Sequence, residues 1–406
     1  MIATGNRRDP APTTSARAAQ PGRRWAGAVL ALLVTALAVG LAESMARLFW
    51  PEYTVSPVQV LASSRYHHVM PANLRMYAGR IHGKQVFIRT NEDGFRTGYS
   101  RRTFRQHDLR VAVFGDSFAY GHGLAEERMF ASLLEQKLRA QGVDAAVLNA
   151  AEKGYSPLLE RRRYEGLAGA YAPNIVLLLL DATDIGDDLK YESELTTNPR
   201  GERVFPYGDD RPHFARGFLG SSWERLRQRL TPALRRWWGG AGRYDYYQFQ
   251  VTVDGRVETN RFFIYRHPLA ATRPHFDRTM SHVNATAAAC AAQGAEFVLF
   301  VTPRFQHWNT NECPRNWEAR DYALQEPYQN EYFRYFEEQQ ATAKFAIVNM
   351  LPLFQGAGRT PLVFDDDPHW NEAGSDFAAG AVAAYLQSHA ARLAGGSAAR
   401  KTGGAP

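Results

Sequence analysis

Gly115-Asp116-Ser117 breaks off an apolar run, Val111-Ala112-Val113-Phe114, and residues 130–138 (FASLLEQKL) then repeat apolar positions at helical spacing. A serine placed there stands at the end of a buried strand. In open α/β sheets that is the edge where ligands bind. Taken alone, Asp-Ser after a strand reads more readily as a cap for a turn or helix, so the motif needs partners. A serine becomes a nucleophile at neutral pH when a base sits beside it, and histidine is the usual base. His369 is the best provided, in Phe364-Asp365-Asp366-Asp367-Pro368-His369-Trp370-Asn371. A carboxylate two or three residues before it can fold back onto its ring, fix the tautomer and stabilise the imidazolium. Both Asp366 and Asp367 meet that requirement. His122, in Gly121-His122-Gly123, is closer to Ser117 in sequence but has no carboxylate near it, and reads as a loop residue.

Acyl transfer also needs donors aimed at the developing oxyanion. The Ser117 backbone N–H is one candidate. Gly154, in Asn149-Ala150-Ala151-Glu152-Lys153-Gly154, follows a strand and can bring a second N–H close to substrate, or simply make a tight turn. A third polar loop, Asp181-Ala182-Thr183-Asp184, follows the apolar residues 175–180.

The elements that must hold these loops are legible as a βα alternation. After the Ser117 strand, residues 145–149, 175–180, 296–301 and 345–349 are short apolar strand candidates. Unbroken apolar strands suit a parallel sheet covered on both faces. Helical patterns fall at 160–167, 273–292, 330–340 and 376–392. The expectation is a three-layer α/β domain over 109–392, with a central parallel sheet of about five strands. Residues 189–270 interrupt the alternation and read as an inserted cap. Within it, 223–238 (WERLRQRLTPALRRWW) is a basic aromatic helix candidate, and 246–251 with 262–265 a β-like pair. Residues 51–108 form a lead-in, in which Arg89-Thr90-Asn91-Glu92-Asp93-Gly94-Phe95-Arg96 is rich in turn residues.

Composition bounds the rest. At 406 residues and 45% hydrophobic content the chain can bury a large core. The net charge of +7 permits an anionic partner, but the basic residues are dispersed outside the N-terminus, which argues against nucleic acid. No zinc spacing, Walker loop or dinucleotide fingerprint is present, so neither metal nor organic cofactor is expected. Residues 1–24 carry Arg7, Arg8, Arg17, Arg23 and Arg24 in a Pro/Ala/Thr-rich tail expected to be disordered, as is 393–406. Residues 25–42 are uncharged, about 27 Å as a helix, just long enough to cross a bilayer. The arginines would keep the tail cytoplasmic and place the domain outside, anchored by an uncleaved single span. Cys290 and Cys313 fit that topology either as a disulfide or as two buried thiols.

At this point the blocks resemble the SGNH/GDSL hydrolases, most of all a membrane-anchored bacterial branch in which Asn-x-x-Gly-Phe/Leu-Arg precedes Gly-Asp-Ser. Here those are Asn91 to Arg96 and Gly115-Asp116-Ser117-Phe118, continuing through Tyr120-Gly121-His122-Gly123-Leu124. Gly154 falls at the second-block glycine, and His369-Trp370-Asn371-Glu372-Ala373-Gly374 matches the last block. The resemblance implies Ser117 as nucleophile, His369 as base and an oxyanion hole from Ser117 and Gly154. The family's third block is usually Asn-Asp; here Thr183-Asp184 occupies it, so Thr183 is the implied third donor. An Asp-x-x-His form selects Asp366, and the Asp-x-His-Trp form of polysaccharide O-acetylation members selects Asp367, which Trp370-Asn371 favour. The implied substrate is an O-acyl, often O-acetyl, ester of a cell-envelope glycan or lipid. An O-acyltransferase served by a membrane-bound acyl-donor partner is the alternative. A catalytically weak glycan-binding protein is a third, kept open by Thr183.

Overall fold

The computed structural model describes residues 21–54, 60–207, 218–223, 226, 250–318, 327–358 and 361–402. The chain divides into two units, residues 1–50 and 51–406. In the first, one helix runs Pro21–Phe49 (α1), and Trp25–Phe49 within it has mean hydropathy 2.2 and the length to cross a membrane. The span is longer than the uncharged run because Glu43, Ser44 and Arg47 continue the helix, with Arg47 and Glu43 paired one turn apart at 2.9 Å. The helix also takes in residues 21–24, which the sequence reading assigned to the disordered tail; residues 1–20 lie outside the described part.

The second unit opens on two antiparallel hairpins, β1 (Leu61–Ser63) with β2 (His67–Val69), and β3 (Arg75–Ile81) with β4 (Lys84–Arg89). A short helix, α2 (Arg101–Phe104), leads into β5 (Leu109–Gly115). Ser117 then starts the one-turn helix α3 (Ser117–Tyr120), followed by α4 (Phe130–Ala140) and β6 (Ala145–Asn149). Next come α5 (Pro157–Tyr171), β7 (Ile175–Leu180) and α6 (Asp184–Glu194). Two small hairpins, β8 (Thr196–Thr197) with β9 (Arg203–Val204) and β10 (Val251–Val253) with β11 (Arg256–Glu258), lie in the insertion. The chain ends with α7 (Leu269–Ala292), β12 (Glu296–Val301), α8 (Glu331–Gln339), β13 (Ala346–Asn349), α9 (Leu351–Gln355) and α10 (Glu372–Thr402).

Five strands form the parallel central sheet, in the order β13-β12-β7-β5-β6. Side-chain alternation splits its core into two layers. Ala112, Phe114, Val176, Leu178, Phe297 and Leu299 face α5, α7 and α8. Val111, Val113, Leu177, Leu179, Val298 and Phe300 face α4 and α10. The strand order reverses at β5: the chain goes to one side for β6 and to the other for β7. Ser117 therefore leaves the sheet at its switch point.

Several expectations are corrected. Residues 262–265 are not a strand; Phe263–Tyr265 is a buried 3-10 turn, and the aromatic run is enclosed on all sides. The hairpin lies earlier, where Asp254 (φ 53°) and Gly255 (φ 74°) supply the two left-handed residues a tight turn needs. Residues 393–402 continue α10 instead of fraying into a tail. Most of the 223–238 pattern lies outside the described residues, as do 246–249. Cys290 and Cys313 are both free and buried, and they belong to opposite layers of the sheet, so they are not paired.

The lead-in has a structural task. Asn91 Oδ1 accepts from the Asp93 and Phe95 N–H groups, and Asn91 Nδ2 donates to the Tyr99 carbonyl and the Tyr171 hydroxyl. This fixes Arg96, 1% exposed, under the Ser117 loop. Its guanidinium donates to the Tyr120 (3.1 Å), Gly121 (2.8 Å) and Leu124 (2.6 Å) carbonyls. Arg96→Ala removes the donor to the Leu124 carbonyl and one of two donors to the Tyr120 and Gly121 carbonyls, which keep Asn149 Nδ2 and the Leu124 N–H, and is expected to cost about 1–3 kcal/mol. Denaturant unfolding of the full chain in detergent measures it.

Candidate active site

The turn after β5 is built on Gly115. Its φ of 148° is unfavourable for any residue with a Cβ. An added Cβ would also lie 2.7 Å from Ala119 Cβ and 2.9 Å from the Leu179 carbonyl oxygen. Asp116 caps α3 by accepting from the Phe118 N–H at 2.8 Å, which turns Ser117 out toward the sheet edge. Opposite it, the loop between α9 and α10 folds as a tight double strand. Val363 bridges Trp370, the Phe364 N–H donates to the His369 carbonyl, and Asn371 Nδ2 holds the Pro361 and Val363 carbonyls. Trp370, 2% exposed, anchors the loop against Phe118 and Phe354.

These two loops bring Ser117 Oγ to 2.7 Å from His369 Nε2. The other ring nitrogen, Nδ1, is hydrogen-bonded to Asp367 Oδ1, which also accepts the His369 backbone N–H at 3.0 Å. Burial opposes ionisation of Asp367, but the bond to His369 and its charge prevail and hold the carboxyl well below its usual range. Asp366 is not part of this chain: its carboxylate lies 3.2 Å from His82 Nδ1. His82, at the tip of the β3–β4 hairpin, stacks on Phe364 with ring centroids 3.7 Å apart, and Lys84 pairs with Glu372. The hairpin tip thus lies against the His369 loop. Its signal in the sequence was His82-Gly83, both with positive φ, between two alternating segments.

His122 is closer to the site than a plain loop residue would be. Its ring is 4.6 Å from that of His369, and its Nε2 is 3.8 Å from Asp367 Oδ2. Burial, and then His369, push its pKa down. Gly154 sits in the loop after β6 with φ 69°, and its carbonyl accepts from the Tyr191 hydroxyl at 2.5 Å. Among the described residues, no acceptor is found for the Ser117 or Gly154 backbone N–H.

Thr183 does not sit as an oxyanion donor. Its single hydroxyl proton goes to Asp181 Oδ2 at 2.7 Å, and its backbone N–H goes to the same oxygen. Asp181 is held in turn by Arg304, through Nη2 at 2.7 Å and Nε at 3.1 Å, and Arg304 Nη1 donates to Glu318 at 2.5 Å. Burial resists ionisation of Asp181, yet Arg304 brings its pKa down to about 2. Sequence reasoning missed Arg304. The clue available was its place just past β12, at the same edge as Ser117.

Residues 263–405 match the family model described as the SGNH hydrolase-like domain of the acetyltransferase AlgX. Over those residues the chain is similar to an SGNH hydrolase-like domain. The matched part includes Asp367 and His369; Ser117, Gly154 and Thr183 precede it. A search of curated proteins finds no match. Solved structures similar to the chain include TesA, at 15% identity and TM-score 0.35, covering 66% of this chain and 93% of that one. The psychrotrophic esterase EstA from Pseudoalteromonas sp. is 14% identical at TM-score 0.35, covering 69% and 98%. The acetyl xylan esterase AlAXEase is 12% identical at TM-score 0.34, covering 69% and 98%. The SGNH assignment rests on the parallel sheet, the site blocks and the family model. An SGNH domain of this kind is a serine ester hydrolase or O-acyltransferase.

Beneath Ser117 lies a group of buried carboxyls. Burial first, and Asp181 second, push Asp116 up to about 7; burial also raises Glu160 and Asp184 well above the ordinary range. Folding therefore makes Asp116 hold a proton that the unfolded chain releases near pH 4. Its contribution to stability falls as pH rises from about 4 to about 7 and is then constant. Buried histidines run the other way: burial lowers His68 to about 3 and His307 to about 4. The difference between wild type and Asp116→Asn isolates the carboxyl. The variant is expected to gain on wild type by about 4 kcal/mol between pH 4 and 7, as read from unfolding curves across that range. A constant difference would contradict the buried-proton assignment.

Proposed function

We propose that this chain is a serine-dependent acyl-transfer enzyme acting on O-acyl, chiefly O-acetyl, esters of cell-envelope glycan or lipid. The observation that carries this reading is the 2.7 Å contact between Ser117 Oγ and His369 Nε2, with Asp367 on the far nitrogen. Ser117 Oγ attacks the ester carbonyl carbon while its proton passes to His369 Nε2. Asp367 keeps Nδ1 protonated and stabilises the imidazolium. The tetrahedral oxyanion is met by the backbone N–H groups of Ser117 and Gly154. Collapse breaks the ester C–O bond, and the leaving alkoxide takes the proton from His369. A second hydroxyl compound then gives its proton to His369, attacks the acyl-serine and frees Ser117.

With water as that compound the chain is an esterase. The second reading, transfer to a glycan hydroxyl, is supported by the family model, whose described member is an acetyltransferase. It calls for a membrane-bound acyl-donor partner. In either case α1 anchors the chain in the cytoplasmic membrane, with Arg7, Arg8, Arg17, Arg23 and Arg24 inside and the catalytic domain outside.

Fluorophosphonate labelling of the full chain tests the nucleophile. Wild type is expected to label, and Ser117→Ala and His369→Ala to remain unlabelled. Asp367→Asn should slow labelling by about 10³–10⁴ through the wrong tautomer. Asp366→Asn, which loses only a partly exposed pair with His82, should change it by no more than about fivefold. A folded wild type that stays unlabelled would move the assignment to a glycan-binding protein. Equal losses for the two aspartates would remove Asp367 from its role.

A further inference from the structure

On the helical face made by α5, α6 and α7, with β9 beside them, is a cavity of about 390 Å³, in the size range of small-molecule sites. None of its lining residues belongs to the Ser117–His369–Asp367 group. Four arginines from three elements meet there: Arg161 and Arg162 from α5, Arg203 from β9 and Arg278 from α7. Glu192 is the one carboxylate in the lining, and it is already engaged by His282 at 2.7 Å and Arg278 at 3.2 Å.

Among the described residues, Arg162 and Arg203 pair with no carboxylate, and Arg161 has only a long ion pair with Glu165 on its own helix. Arg162 donates to two carbonyls, those of Arg65 and Arg203, at 2.9 and 2.7 Å. Its Nε, and that of Arg161, are buried without a hydrogen-bond partner. The nearest carboxylate to Arg161 is the half-exposed Glu165, at 3.6 Å. His282, 7% exposed, likewise has an unpartnered Nδ1. Burial, then the charges of Arg161 and Arg203, lower the pKa of Arg162, which is the mark of a cation crowded by cations. Holding four guanidiniums around one cavity against their mutual repulsion is costly unless an anion joins them.

We propose that this cavity binds a small ligand carrying a diphosphate group. Guanidinium forks match phosphate oxygens two at a time, and four arginines exceed what one singly charged group can use. Leu158 and Leu189 in the lining leave an apolar side for the part of the ligand beyond the phosphates. The proposal is independent of the chemistry assigned to Ser117.

Calorimetric titration of the full chain in detergent with inorganic pyrophosphate tests it. Wild type is expected to show one saturable site that weakens with added salt. Arg161→Gln combined with Arg278→Gln should weaken it at least about tenfold. Ser117→Ala should leave it unchanged, which separates this site from the catalytic one. Thermal unfolding of the double variant verifies that it is folded, and Arg161→Gln alone serves if it is not. Absence of saturation into the millimolar range, equal binding by the folded arginine variants, or equally tight binding of citrate would each overturn the assignment.

Discussion

Ser117 and His369 are 252 residues apart in sequence and share one hydrogen bond because all five central strands run the same way. A parallel sheet delivers the ends of its strands to a single edge, and each connection must return over one face or the other. β5 occupies the reversal in strand order, so the loop it releases is flanked by those after β6 and β7. The loop after β13 reaches the same edge from the far side of the sheet. Nothing in the local chemistry of either loop would hold a serine against a histidine without that arrangement.

The loops are then made rigid by different means, and each uses groups that would be expensive to leave unsatisfied. Under the Ser117 loop, Arg96 donates to three carbonyls of the turn that follows the one-turn helix and is the donor to that of Leu124. The His369 loop is closed by backbone pairing and by Asn371, and weighted with Trp370. The β3–β4 hairpin lies on it through His82, Phe364 and Asp366. Segments that precede the sheet in sequence therefore support its catalytic edge.

This explains what a reader of the sequence could and could not see. The strands were legible because their apolar runs are short, bounded and buried on both faces; 145–149, 175–180 and 296–301 coincide with β6, β7 and β12. The pairing of Ser117 with His369 was legible because their types and neighbours mark both locally, and the structure sets them 2.7 Å apart. The choice between Asp366 and Asp367 was not, since both are within reach of a folded-back loop and only the position of His82 separates them. The hairpin 251–258 was not legible, because its strands are only three residues long, whereas the aromatic run 262–265 is apolar for burial and not for pairing. Arg96 and Arg304 were invisible in their roles because their partners are 24 to 28 and 123 residues distant.

Thr183 shows most clearly how a single substitution in a family pattern is absorbed by its surroundings. A threonine has one proton to give, and here a buried carboxylate takes it. That carboxylate exists as an anion only because Arg304 stands against it, and Arg304 is shared with Glu318. Glu318 also binds Arg261 at 2.6 Å, and Arg261 Nη1 lies 4.0 Å from Asp187. The result is an alternating row of buried charges running from the insertion, through the loop after β12, to the loop after β7. Removing one member of such a row strands the next, at about 3–5 kcal/mol for a buried pair. The threonine is thus part of a structural brace, and in the proposed mechanism the oxyanion is met by backbone N–H groups. Those donors have an advantage: their positions are set by the sheet and by Gly115, so they need no side-chain reorganisation as charge develops.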